Sequence, residues 1–328
     1  MTSRVVPVVL VMVLGSLVTT AVAGDYESSP AAAAVIDAAV ARGVDRDWAE
    51  AVVGEAQKQQ SILDAISRPA EKTKAWRDYR KIFVTPERAR AGVDFAKTHG
   101  KILTDVAKRT GVPSEVIVAI IGVETYYGRI AGSYRVIDAL ATLAFDYPKR
   151  APFFTGELEH FLVLAYQAGK DPLALKGSYA GAMGYGQFMP SSYNHYAVDH
   201  DGDGIADIWD NPADAIYSVA NYFREHGWRA GQPVVVPAVG ASAEPAMFDG
   251  KLKPERTVGE LANLGFAPQQ PIDIDAKATA MRLEGDAGNE YWLGLHNFYV
   301  ITRYNHSAMY ALSVWQLSQL IAEGMAGA

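Results

Sequence analysis

The chain has 328 residues, 49% of them hydrophobic and 20% charged, and a formal net charge of −7 at neutral pH. That apolar fraction can build a substantial core, which excludes a chain disordered throughout, and the length allows two or three domains. Lys and Arg are scattered rather than gathered into a stripe, which argues against nucleic acid as a partner. The lack of any cysteine excludes disulfides, a thiol nucleophile, a thiolate metal site and a lipid anchor on an N-terminal cysteine.

In chain order, Arg4, an apolar run from Val5 to Val18 and the small residues Ala21-Val22-Ala23 read as a secretory signal over residues 1–23, cleaved before Gly24. An uncleaved anchor is the alternative, since the run almost suffices to span a bilayer. Helical periodicity follows, with Trp48, Val52, Ala56, Ile62, Leu63 and Ile66 interrupted by Pro69, and predicts an N-terminal helical subdomain over 24–110. Thr85-Pro86-Glu87 is a helix start, because Thr caps, Pro fits the first turn and Glu suits the positive dipole end.

From 111 to 230 the helices are joined by loops dense in Gly, Tyr, Ser, Asn and Asp, the composition of functional loops on a rigid scaffold. Between 231 and 295, rising Pro and Gly and short β-like runs at Val234–Val236, Ala278–Leu283 and Tyr291–Leu295 predict a small β-containing subdomain. Residues 296–328 return to helix, with Met309, Leu312, Leu317, Leu320 and Ile321 forming a stripe that must pack on the helical core. The fold class is mainly α. No nucleotide-binding glycine loop is present, and nothing in the chain calls for an organic cofactor.

Within the 111–230 segment, Pro113-Ser114-Glu115 opens a helix that is apolar almost all round and is expected to run through Tyr127 to stop at Gly128. Glu124 sits one turn from Ile120 and Ile121 at its negative end, where desolvation and the dipole both disfavour the charged form. An acid held neutral in this way suits protonation of a glycosidic oxygen. A structural reading stands beside it: a buried Glu paired with Arg129 or Arg135, or a helix-end residue at the surface.

The stretch from Ser178 to Ser192 has glycines that let backbone approach a ligand, and Pro190 is placed to start a helix. Ser178 and Gln187 can hydrogen-bond sugar hydroxyls, and Tyr179, Tyr185 and Phe188 offer flat faces, although a tight packing turn accounts for the same composition. Near the end, Tyr304 and Tyr310 can line a carbohydrate cleft or serve as core, and Ser307 is a cap for the final helix. The run Asp199 to Asp207 places oxygen ligands at alternate positions, Asp199, Asp201 and Asp203, with Gly204 for the turn and the Ile205 carbonyl next, which is the opening of an EF-hand-like calcium loop. The Glu expected at the twelfth position is replaced by Asp210, so Asp214 is the alternative closing ligand.

These motifs together resemble the lytic murein transglycosylase B family in its soluble form, which is similar to glycoside hydrolase family 103. The resemblance spans Trp76 to Leu317. It is carried by Gly122-Val123-Glu124-Thr125 with Tyr127-Gly128, Leu140 through Tyr147-Pro148 to Phe154, the Gly181–Ser192 loop, the Asp199–Asp214 loop and Thr302 to Ser307. It implies a lysozyme-like helical catalytic core flanked by helical and β subdomains, Glu124 as the catalytic residue, and a cleft lined by Ser178, Gln187, Tyr304 and Tyr310 with Tyr79 and Asn305 nearby. It further implies a structural Ca2+ held by Asp199, Asp201, Asp203, Ile205 and Asp214, a periplasmic location, peptidoglycan glycan strands as substrate, and cell-wall synthesis or division proteins as candidate partners.

Ordinary glycosidases add a second carboxylate, but Asp138 reads as a helix cap and Asp146 as a turn residue. The resemblance therefore implies that Glu124 alone cleaves the bond between N-acetylmuramic acid and N-acetylglucosamine, leaving a 1,6-anhydro ring. A lysozyme-type muramidase using water, and a non-enzymatic calcium-dependent wall-binding module, are the alternatives.

Overall fold

The structure, a computed structural model, describes residues 24–67, 74–240, 243 and 245–327. The expected signal segment 1–23 and the break expected at Pro69 lie outside the described residues. Three short helices, Pro30–Ala41, Arg46–Gly54 and Gln60–Ser67, open the chain. Asp45 caps the second through its side chain, as its Asx chemistry favours. Their apolar faces, Val35, Ile36, Val52, Val53 and Ile62, pack on Val136–Asp146 and Ala151–Gln167 to form one core.

The helices Trp76–Phe83, Pro86–Thr98 and Gly100–Thr110 belong to a different core, which they share with Ser114–Thr125, Pro212–Glu225, His296–Tyr304 and Ala308–Ala326. The segment 24–110 thus does not pack as one helical subdomain. Local periodicity marks which face of a helix is apolar and says nothing of which partner covers it. The Thr85 hydroxyl accepts from Arg88 N, as its position predicts. Ser114–Thr125 lies at the centre of this core, with Ile117, Ile120 and Ile121 fully buried, each contributing about 1.5–3 kcal/mol by transfer from water. Leu312, Leu317 and Ile321 of the final stripe return to the core as expected, with Met309 packed against it, whereas Leu320 is exposed; Ser307 caps the helix.

The β runs form a five-stranded antiparallel sheet in the order Arg256–Thr257, Lys277–Gly285, Gly288–Gly294, Val235–Val239, Ala267–Pro268. Its two long strands are a hairpin closing at Gly285↔Gly288, and Gly288 takes the positive φ that the turn requires. Val236, Val258, Phe266 and Leu293 give the sheet its own small core. The sheet is clamped to the helical body from one helix: Arg80 and Lys81 meet Asp286 at 2.7 and 3.0 Å, Arg77 meets Glu284, and Trp76 Nε1 donates to Glu290 at 3.0 Å.

Candidate active site

Glu124 stands in the last turn of the central helix, half-buried between the buried Val123 and Thr125. That helix ends at Thr125, two residues before the stop expected from its apolar run. Tyr126, Tyr127 and Gly128 follow with φ of 51°, 62° and 84°, a left-handed turn that costs two non-glycine residues some strain. Tertiary bonds hold it. Tyr127 Oη donates to the Arg88 carbonyl at 2.8 Å, its ring lies against the Cα of Gly122, and Arg88 Nη1 donates to the Gly122 carbonyl at 2.6 Å. Gly128 N donates to the Thr125 hydroxyl at 2.9 Å.

The glycine-rich loop reaches this turn by two tethers. The Thr125 hydroxyl donates to the Tyr185 carbonyl at 2.9 Å, and Tyr304 Oη donates to the Gly186 carbonyl at 2.6 Å. Gly128 is required where the Tyr185 ring passes, since a Cβ there would stand 2.2 Å from it. Tyr310 Oη donates to Glu124 Oε1 at 2.5 Å, a charge-assisted distance. Burial pushes both the Tyr304 and Tyr310 hydroxyls well above the ordinary tyrosine range, and the charge of Glu124 pushes them further, so both remain proton donors. Thus residues 124, 185–187, 304 and 310, remote in sequence, are brought together.

The other expected residues take distinct places. Tyr79 is 1% exposed and packs on Phe83, close enough for its hydroxyl to act on that of Tyr310, so it backs the site from the core. Tyr310 is 3% exposed and can offer its hydroxyl but not its ring face. Gln187, at φ 50°, donates its amide nitrogen to the Ala131 and Gly184 carbonyls, both at 3.1 Å, which ties its side chain to the loop. Ser178 Oγ accepts from Ala182 N at 3.1 Å and shapes the turn. Asn305 is exposed, just past the helix that carries Tyr304. Of the three expected sugar-facing aromatics, Tyr179 is exposed and Tyr185 half-buried, but Phe188 is core, packed on Tyr222 and Tyr304 at 5.8 and 5.9 Å. Sequence reading missed Arg88: an Arg on an amphipathic helix carries no mark of the distant carbonyl it binds.

Neither second-carboxylate candidate is available for chemistry. Asp138 is not a cap; it accepts from Nε and Nη2 of Arg135, both at 2.8 Å, and from Gln57 N at 2.9 Å. Asp146 accepts from Tyr26 Oη at 2.6 Å and Lys58 Nζ at 2.5 Å. Glu157, also buried, takes the backbone N and the hydroxyl of Ser191 at the start of the Pro190–Tyr196 helix. Arg135 is thereby committed to Asp138, and Arg129 lies over the Tyr126 ring at 5.3 Å.

In the acidic loop, Asp199, Asp201 and Asp203 each offer a carboxylate oxygen within 4.8 Å of the others, a hard, all-oxygen donor set that fits a divalent cation. Backbone N–H groups of Gly204 and Gly202 hold the Asp199 carboxyl below the usual carboxylate range. Asp214 stands outside this convergent group. It is buried, its oxygens accept from His200 N and Asp207 N at 2.9 and 2.8 Å, and burial pushes its carboxyl up. The Ile205 carbonyl accepts from Asp207 N at 2.9 Å. Lys170 meets Asp207 at 2.6 Å and neutralises one side of the loop.

Residues 27–319 match the transglycosylase SLT domain family. The chain is 47% identical over 309 residues to the membrane-bound lytic murein transglycosylase B of Escherichia coli (strain K12), covering 91% of this chain and 84% of that one. Its fold superposes on the catenated lytic transglycosylase SltB1 from Pseudomonas aeruginosa with a TM-score of 0.88 at 50% identity, over 92% of this chain and all (100%) of that one. It superposes on the Escherichia coli lytic transglycosylase SLT35 in complex with calcium with a TM-score of 0.85 at 46% identity, over 93% and 96%. A helical core built around one acid at a helix end, carried on a lytic transglycosylase fold across nearly the whole chain, places this protein in the lytic murein transglycosylase B family of peptidoglycan-cleaving enzymes.

Proposed function

We propose that Glu124 is the single acid and base of a non-hydrolytic cut between N-acetylmuramic acid and N-acetylglucosamine. As the acid it gives its proton to the glycosidic oxygen while the bond from C1 of the muramic residue to that oxygen breaks. As the carboxylate it takes the proton of the muramic 6-hydroxyl, whose oxygen closes on C1. The products are an N-acetylglucosamine with a free 4-hydroxyl and a 1,6-anhydromuramic end, with no water consumed. The observation that carries this reading is that Tyr310 donates to Glu124 Oε1 at 2.5 Å while the candidate partner acids, Asp138 and Asp146, are held by Arg135, Tyr26 and Lys58. The Tyr310 bond steadies the carboxylate that the second step needs.

Gln187 on the loop, Tyr304 and Tyr310 beneath it and Asn305 at the rim supply the surrounding contacts for the glycan, while Ser178 shapes the loop and Tyr79 backs the site from the core. A calcium ion would be held by Asp199, Asp201 and Asp203, with the Ile205 carbonyl as a further ligand, while Asp214, whose oxygens bind His200 N and Asp207 N, braces the loop from behind; as a bound cation it would offset the repulsion among these carboxylates and stiffen the loop. Among the described residues no helix is long and apolar enough to cross a membrane, and the export pattern of residues 1–23 supports action in the periplasm.

Digestion of purified murein, with mass spectrometry of the released fragments, tests the reading. Wild type is expected to yield anhydro ends, one water lighter than hydrolytic products, and Glu124→Gln to yield none. Hydrated reducing ends would assign a lysozyme reaction instead, and a protein that sediments with murein without releasing fragments would be a binding module.

A further inference from the structure

A cavity of about 780 Å³ lies away from Glu124, between the β sheet and the start of the His296–Tyr304 helix. Arg229, Lys253 and Lys277 line it, and so do Asp273 and Asp275. Among the described residues none of these three cations meets an acid, whereas neighbouring Lys251 is held by Asp249 and Glu255 at 3.3 and 3.7 Å. Unspent charge of both signs therefore faces one concave space, and its volume is that of a site for a small ligand or a short peptide.

Both walls are fixed. The fully buried Asn297 accepts from Arg229 N at 2.9 Å and donates to the Arg229 and Gln232 carbonyls at 2.8 and 3.0 Å, so a core side chain is committed to holding the 229–232 segment. Opposite, Val258 N and Gly259 N donate to the Ala276 and Ile274 carbonyls, both at 2.9 Å, and set the 273–277 segment that carries Asp273, Asp275 and Lys277. Tyr299 adds a half-buried aromatic face between them. A rim arranged before the ligand arrives binds it with less ordering cost.

We propose that this cavity binds the peptide stem of a peptidoglycan strand. The inference rests on the peptidoglycan reading above and extends it to a second part of the same substrate. Stem peptides carry several free carboxylates and, at the diamino acid, an ammonium. Carboxylates match Arg229, Lys253 and Lys277, and the ammonium matches Asp275, while the short apolar side chains of the stem suit the Pro271 and Ile272 wall. The His296–Tyr304 helix, about 12 Å long at 1.5 Å rise per residue, begins at this cavity and ends at Tyr304, whose hydroxyl binds the Gly186 carbonyl of the loop beside Glu124. A strand lying in the active site thus has a stem within reach of the cavity.

The test compares two substrates. Peptide-bearing murein and the same glycan strands stripped of stems by an amidase are digested by wild type and by the triple variant Arg229→Gln/Lys253→Gln/Lys277→Gln. Three exposed charge contacts support a rise in KM of about fivefold on peptide-bearing murein, with kcat unchanged and the stripped strands cut as by wild type. Equal behaviour of the two proteins on peptide-bearing murein, or an equal loss on both substrates, overturns the proposal. Titrating the free tetrapeptide stem into wild type and following the Tyr299 and His296 NMR signals gives an arm independent of catalysis: saturable shifts that the triple variant lacks support the site, and unchanged signals reject it. Were wild type to cut neither substrate, the enzyme reading would fail while this arm still decided the cavity.

Discussion

The turn behind Glu124 makes Gly122→Ala the most informative single substitution. A Cβ built at Gly122 would stand 2.6 Å from Cζ and Oη of Tyr127 and 2.7 Å from its Cε1. Tyr127 cannot retreat: its hydroxyl is bound to the Arg88 carbonyl at 2.8 Å, Phe95 packs on its ring at 5.7 Å, and Gly92 is already so close that a methyl there would touch the same hydroxyl at 2.5 Å. The added methyl is therefore overpacked, at a cost of about 2 kcal/mol, which at about 2–4 °C per kcal/mol lowers Tm by about 4–8 °C. Because Tyr127 also fixes the left-handed turn after Glu124, its displacement tilts the acid, and kcat on murein should drop about tenfold, or about 1.4 kcal/mol of barrier. Thermal melts and fragment release measured on one preparation check both numbers. The double variant Gly122→Ala/Tyr127→Ala should cost less than the sum of the singles, since the ring that collides with the methyl is gone. An unchanged Tm with an unchanged rate for Gly122→Ala, or strict additivity in the pair, would refute the wedge.

Three further outcomes follow from the same geometry. Tyr310→Phe removes a hydrogen bond to a carboxylate, worth about 1.5–3 kcal/mol, so kcat should fall at least about tenfold with KM little changed; an unaffected rate would remove Tyr310 from the site. Calcium at 100 times its Kd should add about 2.7 kcal/mol of stability, read as a rise in Tm that a chelator reverses and Asp201→Asn blunts, and coincident melts would dismiss the ion. Tyr217 donates to Asp105 across the Gly100–Thr110 and Pro212–Glu225 helices, and burial first and that acid second push its hydroxyl up to about 12. A group whose folded pKa is raised stabilises fully below its ordinary value, near 10, and loses that contribution as pH rises through 12. Wild type should thus lose more Tm between pH 9 and 11.5 than Tyr217→Phe, and parallel losses would show that this tyrosine does not link pH to stability.

What the sequence determined by itself was local or carried by long motifs. The helix starts at Thr85, Pro190 and Ser307 were legible because caps and N-terminal prolines act within one turn. The β runs were legible because alternation and Pro/Gly punctuation are local signals, and Glu124 stood out as an acid at the far end of a helix that is otherwise apolar beyond its first turn. The convergence of Asp199, Asp201 and Asp203 follows from spacing within one loop.

Tertiary structure decided what local signals do not encode. The helix of Glu124 stops at Thr125 because Tyr127, Arg88 and Gly122 interlock across two helices, and the assignment of Phe188 to the core and Tyr310 to the acid was settled by partners more than 30 residues away. Likewise residues 24–110 divide between two cores. Periodicity tells a residue to be buried; only the packed chain, through shape and hydrogen-bond geometry, tells it against what.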